Sequence, residues 1–322
     1  MRKFPKPTLV VSKCLGFAPV RFNGQMLSDP LVEKLRGLAE MIPVCPEVEI
    51  GMGIPREPVR IVETNGRRRL IQPGAGRDVT DAMLDFSRSF LDGLPPVDGF
   101  ILKSRSPSSG IKDVKIYPGP QKVASIGKGA GIFGGAVLDR FPLLAVEDEG
   151  RLSNFGLRET FLTRVFAHAA LRKVSASGKM KELVRFQAEN KLLLMAYSQK
   201  EMRSLGPIVA NPDRLSWDEV AELYRGHFIA AMAATPRRPA VINVLMHALG
   251  YFKDKLRPAE KSHFLRLLDK YREGELPLSV VNELIRSWAL RYEEEYLLGQ
   301  TFFAPFPEGL IGLRDSGKGV DL

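Results

Sequence analysis

The side chains of this sequence best suited to chemistry are two cysteines, one glutamate and a serine-rich turn. Cys14 stands in Ser12-Lys13-Cys14-Leu15-Gly16, and Cys45 opens Cys45-Pro46-Glu47. The third segment reads Ser104-Arg105-Ser106-Pro107-Ser108-Ser109-Gly110. Each follows a short apolar run, and in open parallel sheets ligands bind just beyond the carboxyl ends of the strands. If the three runs are neighbouring strands, two thiols, one carboxylate and a row of hydroxyls converge on one pocket. Thiolates are soft metal ligands and nucleophiles. Taken singly, a cysteine in an α/β core is more often a small apolar residue than a ligand.

The elements that would position these residues are legible in the pattern. Stretches 8–11, 42–44 and 100–103 are apolar without alternation, as buried strands are. Between them, 30–41 and 78–91 have helical spacing, with Asp78 as the cap of the second. That order predicts an α/β domain with a mostly parallel sheet over residues 1–150. Past Gly150 the apolar period becomes 3.6 over 157–174, 180–197, 216–234, 240–252, 258–273 and 278–298, punctuated by prolines such as Pro212, Pro236 and Pro277. An all-α domain is expected over 151–322, with its tail from Phe303 onward loosely packed.

The chain has 322 residues, 44% hydrophobic and 26% charged, a globular composition that excludes a disordered or fibrous protein. No apolar run approaches the roughly 18 residues of a spanning helix, which with the absence of a signal-peptide pattern points to a soluble, cytoplasmic protein and no membrane partner. Two cysteines cannot make a disulfide framework. The net charge is +10 with pI near 9.6. Between Arg151 and Lys200 ten cationic residues face three acidic ones, the footprint of a surface that meets a polyanion, or of a solvated helical face.

The runs VSKCLGFAPVRFNG, VCPEVEIGMGIPREP, DVT and ILKSRSPSSG together resemble the thiouracil desulfurase family over roughly residues 8–117. The second half resembles the YbgA-like helical domain through ENKLLLMAYSQKEMRSLGPIVA, INVLMHALGYFKDKL and YREGELPL. Chains that fuse the two resemble bacterial desulfidases acting on 4-thiouridine in tRNA. The resemblance implies a [4Fe-4S] cluster held by three cysteines, of which the first falls on Cys14 and the second on Cys45. The third falls on Ser109, because the family turn Ser-Pro-Ser-Cys-Gly here reads Ser-Pro-Ser-Ser-Gly. It also implies catalytic roles for Glu47 and Ser106, and as partners tRNA containing 4-thiouridine, with free thiouracil as another substrate. A serine is a harder and less acidic iron ligand than a thiolate. Ser109 therefore leaves three alternatives open: an introduced substitution, a natural loss of activity, or an oxygen-ligated cluster.

Two further functional classes compete with the desulfidase. One is a tRNA-binding protein whose cluster site is impaired at Ser109. The other is a free-thiol enzyme using Cys14, for which no histidine lies nearby in sequence. On the helical side, Lys181, Arg185, Lys191, Lys200 and Arg203 are the candidate RNA contacts, with Asn190 and Tyr197 beside them. The stretch Gly129-x-Gly131-x-x-Gly134 matches a dinucleotide fingerprint, with Glu147 and Glu149 as candidate ribose acids. It lies too late in the domain for that role, and reads instead as a flexible turn or a close backbone approach to RNA. Arg67-Arg68-Arg69 resembles a turn tip, Arg56 is expected to face the pocket, and His168, His227, His247 and His263 read as packing or surface residues.

Overall fold

The computed structural model describes residues 2–121 and 123–311. The chain divides into two compact units, one of Met1–Ala169 with a segment that begins at Pro307, the other of Ala170–Phe306. In chain order the first unit holds β1 (Thr8–Ser12), α1 (Pro30–Leu35), β2 (Glu40–Val44), α2 (Pro46–Glu49), β3 (Arg60–Thr64), β4 (Arg67–Gln72), β5 (Arg77–Asp78), α3 (Thr80–Asp92), β6 (Gly99–Leu102), β7 (Val114–Tyr117), β8 (Gly127–Gly129), α4 (Ile132–Arg140) and β9 (Ala145–Asp148). The first part of α5 (Phe155–Ser177), up to Ala169, also belongs to it.

The principal sheet has the order β2-β1-β6-β9, and every pair in it is parallel. β1 is central, and its Leu9, Val10 and Val11 are wholly buried, which is why the run carries no alternation. Val10, Phe100 and Leu102 share a core with Met83 of α3 and with Phe133 and Val137 of α4. The expected helix over 30–41 stops at Leu35, because Glu40 and Met41 are already paired with Thr8 and Leu9. Asp78 does serve the start of α3: its carboxylate accepts from the Thr80 N–H at 2.9 Å.

A second sheet of five short strands, β5-β4-β3-β7-β8, is parallel only between β3 and β7. Arg67, Arg68 and Arg69 are not a turn tip but the first residues of β4. The tip is Asn65-Gly66, both with positive φ (51° and 72°), the pair a two-residue hairpin favours. Arg68 pairs across the hairpin with Glu63 at 2.9 Å, and Arg69 with Asp78.

The second unit is helical throughout: α6 (Met180–Tyr197), α7 (Gln199–Ala210), α8 (Trp217–Ala233), α9 (Arg238–Gly250), α10 (Pro258–Glu273), α11 (Leu278–Arg291) and α12 (Glu295–Leu298). Its core includes the ring cluster Phe186, Tyr224 and Phe228, and a second one of Phe252, Phe264 and Trp288. The single helix expected over 278–298 is broken between α11 and α12, where Glu293 takes φ 53°. The tail is not loose as far as it is described. Phe303, Phe306 and Leu310 are buried, and the turn Glu308–Leu310 packs against α1; the rest of that tail lies outside the described residues. Among the described residues no helix is long and apolar enough to cross a membrane.

Candidate active site

Because β1 lies between β2 and β6, the three chemistry-bearing segments leave the sheet at one edge. Ser12 stands opposite Val44, so Cys14 and Cys45 follow paired positions, and Leu102 opposite Asp148 brings Glu149 to the same edge. The Ser12 hydroxyl accepts from the Lys103 N–H at 2.8 Å, which fixes where the serine-rich turn begins. Cys45 is the N-cap residue of α2, whose first residue is Pro46.

Burial pushes the Cys14 thiol up to about 11. Cys45 adds to this, and the charges of Lys103 and Arg21 oppose it. Burial raises the Cys45 thiol as well, against a hydrogen bond from the Val48 N–H. The Cys45 sulfur is thus close enough to act on the Cys14 thiol electrostatically.

Glu47 is 8% exposed and is held on both oxygens. Arg56 Nε donates to Oε2 at 2.7 Å, and Ser108 Oγ donates to Oε1 at 2.8 Å. Arg56 is itself anchored by the carbonyls of Val20 (3.0 Å) and Gly53 (3.1 Å), with its Nη2 3.9 Å from Cys45 Sγ. A buried ion pair of this kind costs desolvation and is held in place by such added hydrogen bonds. Since the single proton of Ser108 goes to Glu47, Ser106 Oγ is the donor in its 2.9 Å contact with Ser108 Oγ. Ser106 Oγ in turn accepts from the Ser109 N–H at 3.2 Å. The result is a directed chain of hydroxyls ending on a carboxylate. Ser108 is not among the residues that the sequence singles out; the only signal for it is its place in the serine-rich turn.

The turn is seated by the start of α4. Gly131 N donates to Gly110 O (2.7 Å), Ile132 N to Pro107 O (3.2 Å) and Gly134 N to Ser108 O (3.0 Å). A Cβ on Gly131 would lie 2.5 Å from Ser108 O, and one on Gly134 would lie 2.3 Å from Gly110 O. The glycine motif is therefore neither a dinucleotide loop nor a flexible turn: it brings a helix N-terminus against the backbone of the serine turn. The two candidate ribose acids are engaged elsewhere. Glu147 pairs with Arg151 at 2.6 Å; Glu149 accepts from Ser104 N at 2.7 Å and Ser104 Oγ at 2.6 Å, and pairs with Lys103.

The donor set can be compared with the [4Fe-4S] cluster that the resemblance implies. Both thiols are held protonated by burial, and a thiol in that state gives up its proton readily to a bound cation. Ser109 is 4% exposed, and among the described residues only its backbone N–H is hydrogen-bonded, leaving its hydroxyl open for a ligand. Among those residues no three His, Cys, Asp or Glu side chains gather as a metal site. In donor chemistry Cys14, Cys45 and the Ser109 oxygen suit such a cluster, one thiolate short of the usual set.

The five candidate RNA contacts stand on α6 and α7, and all five are exposed. Arg185 is paired with Glu182 and Glu189, and Lys200 lies 3.9 Å from Glu201, whereas among the described residues no ion pair engages Lys181, Lys191 or Arg203. Asn190 is not a surface residue: it is 2% exposed, donates to Phe186 O at 2.8 Å and accepts from Thr301 Oγ1 at 2.8 Å. His168 is buried, His227 meets Glu201 at 2.7 Å, and His247 and His263 are exposed.

A parallel sheet thus brings thiols, a paired carboxylate and a hydroxyl chain to its carboxyl edge, the placement of candidate site residues usual in α/β folds. Residues 9–149 match the 2-thiouracil desulfurase family, and residues 191–307 match a protein family of unknown function, DUF1722. The uncharacterized protein YbgA of Escherichia coli (strain K12) is 32% identical over 163 residues, 49% of this chain and 95% of YbgA. The uncharacterized protein YbbK of Bacillus subtilis (strain 168) is 31% identical over 109 residues, 32% of this chain and 72% of YbbK. A solved structure, the [4Fe-4S]-dependent thiouracil desulfidase TudS, is 28% identical and covers 46% of this chain and 93% of its own, with a TM-score of 0.36. The chain belongs to the 2-thiouracil desulfurase family through its α/β part, joined to a YbgA-like helical part.

Proposed function

We propose that the chain removes sulfur from a thiolated uracil, with 4-thiouridine in tRNA as substrate and uridine as product, acting in the cytoplasm. Residues 1–150 would carry the chemistry and residues 151–322 would grip the tRNA. The observation that carries this reading is the Glu47 carboxylate, fixed between Arg56 and Ser108 at the sheet edge that also holds Cys14 and Cys45. Family membership supports the reaction class; the excess of cationic residues in 151–200 supports the polyanionic partner.

The reaction exchanges sulfur for oxygen: one water enters, sulfide leaves carrying the water's two protons, and no net electron transfer is needed. Cys14, Cys45 and Ser109 would hold the cluster, which supplies a soft Lewis acid for the thiocarbonyl sulfur. Glu47 takes a proton from the water that adds to the thiocarbonyl carbon, with Arg56 fixing the orientation of its carboxylate. Ser108 donates to Glu47, and Ser106 donates to Ser108, so the hydroxyl chain carries a proton between the turn and the carboxylate. Cys14 and Glu47 are each 8% exposed, and this low exposure strengthens the electrostatic interactions they make.

A second reading, a tRNA binder with an impaired site, is favoured by one observation, Ser109 in the third donor position. Anaerobic reconstitution of the chain and of Ser109→Cys, followed by iron analysis and sulfide release from thiolated tRNA, separates the two. The desulfidase reading expects sulfide from the chain and a more firmly held iron content in Ser109→Cys. Salt-dependent tRNA binding without sulfide from either protein would establish the binder.

A further inference from the structure

Two loops that lead into the site also build a ledge outside it. The loop from β1 to α1 folds back on Cys14, with Leu27 N donating to Cys14 O at 2.8 Å. At its outer end a tight turn closes through Gly24 N to Arg21 O at 2.9 Å, with Gly24 at φ 71°. That turn leaves Phe22 39% and Met26 49% exposed. The loop after α2 joins it: Arg56 N donates to Phe22 O at 2.8 Å, and a Cβ on Gly24 would touch Ile54 Cγ2 at 4.0 Å. Ile54, next to these, is 44% exposed.

The ledge is apolar and cationic, with no acid in residues 16–28 or 50–56. The Arg21 guanidinium lies 5.7 Å from the Phe22 ring centroid, and its charge is felt at Cys14. Arg105, exposed and held at φ 58°, belongs to the serine turn at the same sheet edge. Aromatic rings beside cations, without carboxylates, suit a nucleotide chain, because bases stack on the ring while phosphates meet the cations.

We propose that the Arg21–Phe22–Ile54 ledge receives the nucleotide next to the thiolated one in an RNA strand, Phe22 stacking on its base and Arg21 meeting its phosphate. This rests on the thiolated-RNA reading above and adds the determinant that separates a polynucleotide from a free base.

The test uses the full chain, tRNA containing 4-thiouridine, and the free nucleoside, with binding measured over a salt series. Phe22→Ala is expected to weaken tRNA binding about tenfold with an unchanged salt slope, and Phe22→Trp to restore it. Arg21→Gln should make the slope of log Kd against log salt shallower by about 0.7, the value for one phosphate on a single strand. For each loss, the nucleoside should weaken less than the tRNA. Affinity for tRNA within twofold of the unaltered chain in both Phe22→Ala and Ile54→Ala, or equal losses for tRNA and nucleoside, overturns the proposal; melting temperatures confirm that each variant is folded. If the chain releases no sulfide while the ledge variants still lose tRNA, the desulfidase reading fails and the ledge stands. Sulfide release with unchanged tRNA binding by those variants is the opposite result.

Discussion

Ser108 Oγ lies 2.8 Å from Glu47 Oε1, although the two residues are 61 positions apart. The bond ties the turn after β6 to the helix after β2 across the intervening strand β1. Through it the carboxylate gains a second partner besides Arg56, and the turn gains a fixed orientation over the site.

If Glu47 is the general base, Glu47→Gln keeps the shape and loses the proton acceptor. The loss expected in the rate of sulfide release is about 10²–10⁴-fold, with binding of the thiolated base retained. Glu47→Ala acts differently: both variants take the counter-charge from Arg56, but alanine also leaves the buried guanidinium and the Ser108 hydroxyl without their hydrogen-bond acceptor. A destabilisation of about 3–5 kcal/mol is expected, read by denaturant melts. Equal activity of Glu47→Gln and the unaltered chain would remove Glu47 from the mechanism.

Ser108→Ala breaks the hydroxyl chain at its centre. Glu47 keeps Arg56, so the cost to stability is that of one hydrogen bond to a charged group, about 1.5–3 kcal/mol. The rate should fall further in Ser108→Ala than in Ser106→Ala if the Ser108 bond is what orients the carboxylate. The opposite order would place the proton on Ser106 alone.

One half of this site is legible in the sequence, and the other half is hidden for physical reasons. Three of the four strands of the principal sheet contain continuous apolar runs, so their pattern locates their ends, with Cys14, Cys45 and the serine turn, although β2 at the sheet's side is only partly buried. Whether they are neighbours is left open by the pattern, because strand order is fixed by crossovers, which leave no local signal. Ser108 is hidden because its function depends on a partner 61 residues away. The second sheet is hidden because its strands are short, half exposed and rich in arginine, so that a strand edge reads as a turn. The break before α12 follows from a residue in the left-handed region, Glu293, whose type does not announce it.

The seat of the serine turn predicts a contrast between two adjacent glycines of α4. A Cβ on Gly134 would come 2.3 Å from Gly110 O, whereas one on Gly135 would meet only Ala130 Cβ at 3.7 Å. Gly134→Ala must push the turn off the helix, at a cost of about 1–3 kcal/mol. Gly135→Ala should instead stabilise by about 0.5–1 kcal/mol, the ordinary gain of alanine within a helix. Thermal melts of the two variants check the sign of each shift.

The raised pKa of Cys14 gives a pH dependence with a definite direction. In the metal-free protein the thiol titrates near 11, against an ordinary value of 9.0. The folded chain therefore holds its proton more tightly than the unfolded one. The stabilisation this represents is fully present below pH 9 and is lost as pH rises toward 11. For a residue this well buried the loss amounts to about 2–3 kcal/mol at most. Denaturant melts between these limits should show it in the unaltered chain and show less of it in Cys14→Ala. Alkylation of Cys14 should likewise stay slow at neutral pH and accelerate through the same window, because only the thiolate reacts. A thiol that alkylates at neutral pH as fast as a free cysteine would mean that Cys14 is not enclosed in the way its burial beside Cys45 requires.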